Sequence, residues 1–172
     1  KMIQQEVVRC QLDNDIKLGP GGIRDIEFIA QCFQLIHGGR ELDLQQRKLQ
    51  KVLSLLADKN HLPMTAVNQL QQAYLFFRNT EHAIQAFNDQ QTQSLPDAKL
   101  PQLALAYSMG FKNWDAFIAA LSVHRKNVSF HFNQFIADDE NTQAIDEKGT
   151  PWFDLWTGSF DDATSIHSLE GA

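Results

Sequence analysis

Apolar residues recur at intervals of three and four along most of this chain, and no stretch sustains a period of two. Helices are therefore predicted one after another. Residues 2–12 give a short first helix that stops near Asp13-Asn14-Asp15. After the loop Lys17-Leu18-Gly19-Pro20-Gly21-Gly22, a second helix runs over about 23–37 and ends at Gly38-Gly39. Its stripe is Ile26, Ile29, Phe33 and Ile36, with Ala30, Cys32 and Leu35 beside it, so it is apolar nearly all round and should be central. A third helix covers about 44–59, with Leu49, Val52, Leu53 and Leu56 inward. A fourth runs from Thr65 to about Asn88 and carries two adjacent stripes: Val67, Leu70, Tyr74, Phe77, Ile84, and Ala73, Phe76, Thr80, Ala83, Phe87. A fifth lies near 98–109, before Gly110. The sixth starts at Asn113 as N-cap and runs to about 136 on Trp114, Phe117, Leu121, Val128 and Phe135. The predicted fold is all-α, a bundle of about six helices over residues 1–136.

Past Ile136 the pattern stops. Asp138-Asp139-Glu140, Gly149 and Pro151 predict a linker, and Trp152, Phe153, Leu155 and Trp156 a short aromatic helix that docks on the bundle or opens a further domain. Residues 137–172 are thus expected to form a partly ordered acidic tail. Charge sharpens the division. The net charge is −6, but residues 137–172 hold nine acids and one base, leaving 12 acids against 14 bases before them. A near-neutral body with no basic tract argues against a nucleic-acid binder. No apolar run reaches the roughly 18 residues of a membrane span, and no basic-then-apolar leader is present. Cys10 and Cys32 lack ligand-like spacing and read as reduced packing residues of a cytosolic protein. The chain opens at Lys1 inside a helical pattern without an initiator Met, which suggests a piece of a longer protein.

Chemistry concentrates in Asp15-Ile-Lys-Leu-Gly-Pro-Gly-Gly-Ile-Arg-Asp-Ile-Glu27. Successive glycines before a helix can turn backbone N–H groups toward one point, where the helix N-terminus adds positive potential. Gly19, Gly21 and Gly22, flanked by Lys17 and Arg24, are therefore candidate phosphate contacts. The competing reading is a tight turn whose glycines only allow positive φ and close packing. Neither familiar nucleotide template fits, since GxxxxGK[ST] is absent and no strand precedes the loop.

The second helix adds a polar line of Arg24, Glu27, Gln31 and Gln34, with Asp25 beside it. Glu81 falls between Phe77 and Ile84 on an apolar stripe, one turn after Arg78, and an ion pair with Arg78 or Arg24 is expected. Asp13-Asn14-Asp15 spells DxD, the metal-holding pattern of nucleotidyltransferases, but it ends a helix and reads as capping. The six histidines show no HExxH motif, and His124 on its stripe reads as a core residue. No metal site and no complete catalytic set emerge from the residues.

The same loop–helix segment, continued through Gln31, resembles the signature of the bacterial glutamine synthetase adenylyltransferase/adenylyl-removing family. The likeness extends through Phe33-Gln-Leu-Ile-His-Gly-Gly-Arg40, Tyr74-Leu-Phe-Phe-Arg-Asn-Thr-Glu81 and Asp89-Gln-Gln-Thr-Gln-Ser-Leu-Pro96, and fades after about residue 140. Gln93 departs from the pattern, which often has His there, so no role is carried over to it.

In that family each half pairs a nucleotidyltransferase domain with a following helical domain. The resemblance implies that this chain is the helical domain of the N-terminal, deadenylylating half. That half removes AMP from a tyrosine of glutamine synthetase by phosphorolysis. The resemblance further implies Mg²⁺ and ATP or ADP held by the missing catalytic domain, with none tightly bound here and the isolated chain inactive. It implies as partners glutamine synthetase, the PII signal protein and the enzyme's own nucleotidyltransferase domain, in a bacterial cytoplasm. The Lys17–Arg24 loop would then face that domain and hold phosphate, with Glu27 orienting Lys17 or Arg24. The alternative is a non-catalytic regulatory or scaffold module that relays PII or glutamine signals.

Overall fold

A computed structural model describes residues 14–88 and 93–143 of the chain. Among them are five α-helices: α1 Ile23–His37, α2 Leu49–Asp58, α3 Met64–Asn88, α4 Lys99–Ser108 and α5 Trp114–Gln143, with a 3-10 turn at Leu42–Leu44. The only pairing of extended backbone among these residues is an isolated antiparallel bridge between Asp15 and Ser94. The fold is all-α. The residues to Phe135 belong to one compact unit, and those from Ile136 to a second. No helix of the described residues is long and apolar enough to cross a membrane. The expected helix at 2–12, Cys10, Asp13 and the aromatic segment 152–156 lie outside the described residues.

The core forms where the helical stripes meet. Helix α1 contributes Ile23, Ile26, Ile29 and Ala30, and α2 contributes Val52, Leu53, Leu56 and Ala57. Helix α3 adds Val67, Leu70, Ala73, Phe77 and Ile84, and α5 adds Phe117, Leu121 and Val128. Helix α1 touches α2 and α3, and its Phe28 meets Phe132 and Phe135 of α5 edge-on, at 5.5 and 6.4 Å between ring centres. The helix is central for three turns and then leaves the bundle, because Leu35 and Ile36 are 71% and 61% exposed. Its apolar girdle therefore overstated its burial. A second aromatic group joins α3 to α5: Phe76 stacks on Phe117 at 5.8 Å and lies 4.6 Å from His124. Burial in that group pushes the His124 pKa down. It packs on the aromatic group but stays half-buried, less enclosed than the core histidine that its stripe predicted.

Chain ends of the helices are fixed by local chemistry. Asn113 Oδ1 accepts the Ala116 N–H at 2.8 Å, capping α5 as expected. Helix α4 closes on Gly110 at φ +81°, with Phe111 N–H donating to Ala106 O at 2.8 Å and Gly110 N–H to Tyr107 O at 3.0 Å. Helix α2 closes in the same paired pattern on Asn60 at φ +60°, where His61 and Asn60 N–H donate to Leu56 and Ala57 carbonyls, each at 2.9 Å. Gly38 ends α1 with right-handed φ −62° instead, and the chain turns on through Arg40 and Glu41 N–H donating to His37 O.

Two helix boundaries differ from the periodicity. The predicted helix at 44–59 begins only at Leu49, because the segment before it is held by side chains from elsewhere. Gln34 Nε2 donates to Leu44 O at 2.6 Å and Gln46 O at 2.9 Å, and Gln45 Nε2 to Gly38 O at 2.9 Å. The Leu44 and Gln46 carbonyls are thereby taken by tertiary bonds, and helical spacing in 44–48 does not prevail. At the other end α5 continues to Gln143, beyond the last apolar stripe residue at Phe135. A helix can run past its apolar stripe where its residues, here Ala137, Glu140 and Gln143, have good propensity.

Ahead of α1, Ile16 is fully buried, and Gly21 lies against α5 with φ +67°. A Cβ at Gly21 would fall 2.3 Å from the Arg125 carbonyl oxygen. Gly21→Ala should lose about 2–5 kcal/mol, from left-handed strain plus forced separation of loop and helix; urea unfolding checks it. Phe77→Ala, at a side chain with no exposure, should lose about 3–5 kcal/mol in the same measurement.

Candidate functional site

The loop from Asp15 to Arg24 is built on its own backbone and two carboxylates. Asp15 Oδ1 accepts the N–H of Lys17 and of Leu18, each at 2.7 Å. The Asp15 carbonyl accepts Gly19 N–H at 3.1 Å and Arg125 Nη2 at 2.7 Å. Gly22 N–H donates to Gly19 O at 2.9 Å, Ile23 N–H to Ile16 O at 3.3 Å and Arg24 N–H to Lys17 O at 3.1 Å. Gly21 N–H donates to Asp25 Oδ2 at 2.7 Å. The outer strap is the 93–95 segment, where Ile16 N–H donates to Gln93 O and Leu95 N–H to Asn14 O.

Every N–H from Ile16 to Arg24 therefore has an acceptor inside the protein, Pro20 having none to give. Gly19, Gly21 and Gly22 are buried, and Gly22 is as closely packed as Gly21, since a Cβ there would fall 2.7 Å from two carbonyl oxygens. The glycines thus account for a tight turn. Asp25, the third residue of α1, occupies the helix N-terminus, which favours a negative charge. Burial raises the Asp25 pKa, while the Gly21 N–H and the Arg24 charge pull it down. What remains for an anion is side-chain chemistry. Lys17 is half-buried and Arg24 exposed, and the bond between Arg24 N–H and Lys17 O sets their backbones side by side.

Along α1 the polar line continues into a groove of about 400 Å³. Glu27, Gln31 and Gln34 form one wall; Gln46, Arg47, Lys48 and Gln50 form another, with Tyr74 of α3 beside them. Gln50 and Gln71 clasp across α2 and α3, each side-chain amide donating to the other's carbonyl at 3.2 and 3.0 Å. Arg47 and Lys48 were not singled out from the sequence; two adjacent cations just before a helix were the available signal. Arg78 and Glu81 form a pair within one helix, with Arg78 Nη1 donating to Glu81 Oε2 at 2.5 Å. Glu81 is buried and Arg78 reaches the surface, so this pair is the ion pair that the stripe anomaly predicted.

Asp15 Oδ1 and Asp25 Oδ2 accept backbone N–H groups, so both carboxylates hold the turn; Asp13, the other acid of the DxD sequence, lies outside the described residues.

Residues 1–136 match the family model described as GlnD PII-uridylyltransferase. The chain is 46% identical over 176 residues to the bifunctional glutamine synthetase adenylyltransferase/adenylyl-removing enzyme of Pseudomonas aeruginosa, covering 100% of this chain and 18% of the relative. It is 47% identical to the protein of that name in Pseudomonas putida, again over 100% of the chain and 18% of the relative. For Nitrosococcus oceani the figures are 46%, with 91% and 16% covered. The chain thus spans less than a fifth of the length of these curated relatives. With most of its length inside the matched region, the chain belongs to the GlnD PII-uridylyltransferase family, and its whole-length likeness is to the bifunctional glutamine synthetase adenylyltransferase/adenylyl-removing enzymes.

Proposed function

We propose that this chain is the helical domain, residues 1–136, of an enzyme that adenylylates and deadenylylates glutamine synthetase, followed by an acidic segment over 137–172 whose first residues, to Gln143, continue α5. Its loop would contribute Lys17 and Arg24 to the removal of AMP from an adenylyl-tyrosine. Identity near 46% to such enzymes along the whole chain supports the general role. The observation that carries the finer reading is the Arg24 N–H to Lys17 O bond at 3.1 Å, which sets two cationic residues together on a rigid loop beside a helix N-terminus.

In phosphorolysis, an oxygen of inorganic phosphate attacks the phosphorus of the tyrosyl adenylate. The bond from phosphorus to the tyrosine oxygen breaks, that oxygen takes up a proton, and ADP leaves. Both reactants are anions, so the step needs cations that offset their repulsion. Lys17 supplies a point charge, and Arg24 can hold two phosphate oxygens at once. Glu27, one turn beyond Arg24 on α1, would orient Lys17 or Arg24. Mg²⁺ and nucleotide would be held by the parent enzyme's catalytic domain. On this reading the isolated chain is inactive and works in a bacterial cytoplasm, with glutamine synthetase and PII as partners of the parent enzyme.

A second reading is favoured by the closed backbone of the loop. A turn with no N–H to offer suits a domain that packs against the catalytic domain and relays PII or glutamine signals.

The double variant Lys17→Ala/Arg24→Ala, in the full-length enzyme, separates the two. Phosphate-dependent release of AMP from adenylylated glutamine synthetase should fall about 100-fold or more, while adenylylation, circular dichroism and the response to PII are retained. Arg24→Lys should recover part of the loss. Unchanged phosphate dependence with an altered PII response would replace the catalytic reading by the relay.

A further inference from the structure

Three side chains separate from the loop come together where α1 ends. We propose that His37, Glu41 and His61 form a binding site for one borderline divalent cation of the Zn²⁺ class. Each offers one ligand atom, and these atoms all lie within 4.8 Å of one another. His61 Nε2 is 2.9 Å from Glu41 Oε1, and the two imidazole rings lie 4.1 Å apart between centres at 27°, so one ring must turn about its Cβ–Cγ bond for both in-plane lone pairs to meet one ion. Two imidazoles and one carboxylate are the donor set that Zn²⁺, Co²⁺ and Ni²⁺ accept, and three protein ligands leave a position for water.

The backbone supports this arrangement. His37 is the last residue of α1, and Glu41 N–H donates back to its carbonyl at 2.8 Å. His61 follows Asn60, whose left-handed conformation turns the chain toward α1. Phe33 lies 6.0 Å from each imidazole, walling one side. The His61 and Glu41 side chains are only 19% and 26% exposed, which limits competing hydration. Tetrahedral ligands on such a metal sit about 3.3 Å apart, so the widest pair must close by roughly 1.5 Å, within reach of side-chain rotation.

Charge also suits a dication. Lys59 bridges Glu41 Oε2 at 3.1 Å and Asp43 Oδ2 at 3.0 Å, and its hydrogen bonds hold both carboxyls below their usual range. Two carboxylates against one ammonium leave a formal charge of −1 beside the two imidazoles. The Oε1 atom of Glu41 faces His61 and is the one that a metal would take, the His61 proton then residing on Nδ1. The bound ion would fasten the end of α1 to the turn after α2.

Titration of CoCl₂ into the 172-residue chain tests this through the visible absorption of bound Co²⁺. One equivalent should produce d–d bands, and ZnCl₂ should abolish them and raise the melting temperature. His37→Gln and His61→Gln should each weaken binding more than about 10-fold, with helical circular dichroism retained. Lys59→Gln, which removes a competing cation, should tighten it. Absence of d–d bands, or bands of equal strength in both histidine variants, would overturn the proposal.

Discussion

The approach of the Gly21 backbone to the Arg125 carbonyl sets the geometry from which the rest of this molecule follows. Only a residue without Cβ can sit there, since a Cβ would come within 2.3 Å of that oxygen, at φ +67°. With the loop seated on α5, Ile16 enters the core and α1 begins with Ile23 buried. Asp25 then lies under the Gly21 N–H, and Asp15 under those of Lys17 and Leu18. Arg125 returns the contact by donating to the Asp15 carbonyl at 2.7 Å, across 110 residues of sequence. One contact between distant backbones thus sets the direction of the central helix and the shape of the loop that precedes it.

Helices were legible in the sequence wherever burial continued through the whole element. Helix α3 and the first part of α5 follow their stripes because Val67, Leu70, Phe77 and Ile84 of one and Phe117, Leu121 and Val128 of the other are all buried. The stop at Gly110 was legible because a left-handed C-terminus favours glycine; the stop at Asn60 uses the same geometry with a residue less diagnostic of it. The segment 42–48 was not legible. Its conformation depends on amide bonds from Gln34 and Gln45, and no periodicity reports such a bond. Leu35 and Ile36 misled for a related reason, since a moment along α1 cannot show where its neighbours end.

The site divides in the same way. Residue types and order were enough to find the loop and its two cations, and the likeness to a family was carried by the same residues. Whether a glycine N–H points at a ligand or at its own chain depends on ψ angles and on two aspartates, one before the loop and one after. That distinction existed only in three dimensions. The histidine pair was hidden more deeply, because His37 and His61 are 24 positions apart and neither lies in a ligand-like motif. What joins them is the end of one helix meeting the left-handed turn of another.

The charge of the loop bears on how such a domain would work. Lys17 and Arg24 are balanced by Asp15 and Asp25, so the segment is formally neutral although it ends on a helix N-terminus. A neutral loop does not concentrate phosphate by long-range attraction, which at physiological salt is in any case screened beyond about 8 Å. Its aspartates instead hold the backbone that carries the two cations. Such an arrangement gives orientation more than affinity. An anion brought by another domain would meet two positioned donors, whereas an anion in bulk water would gain little from leaving its hydration shell. On the proposed reading, such donors would serve the transition state of a transfer between two anions and not the storage of either one.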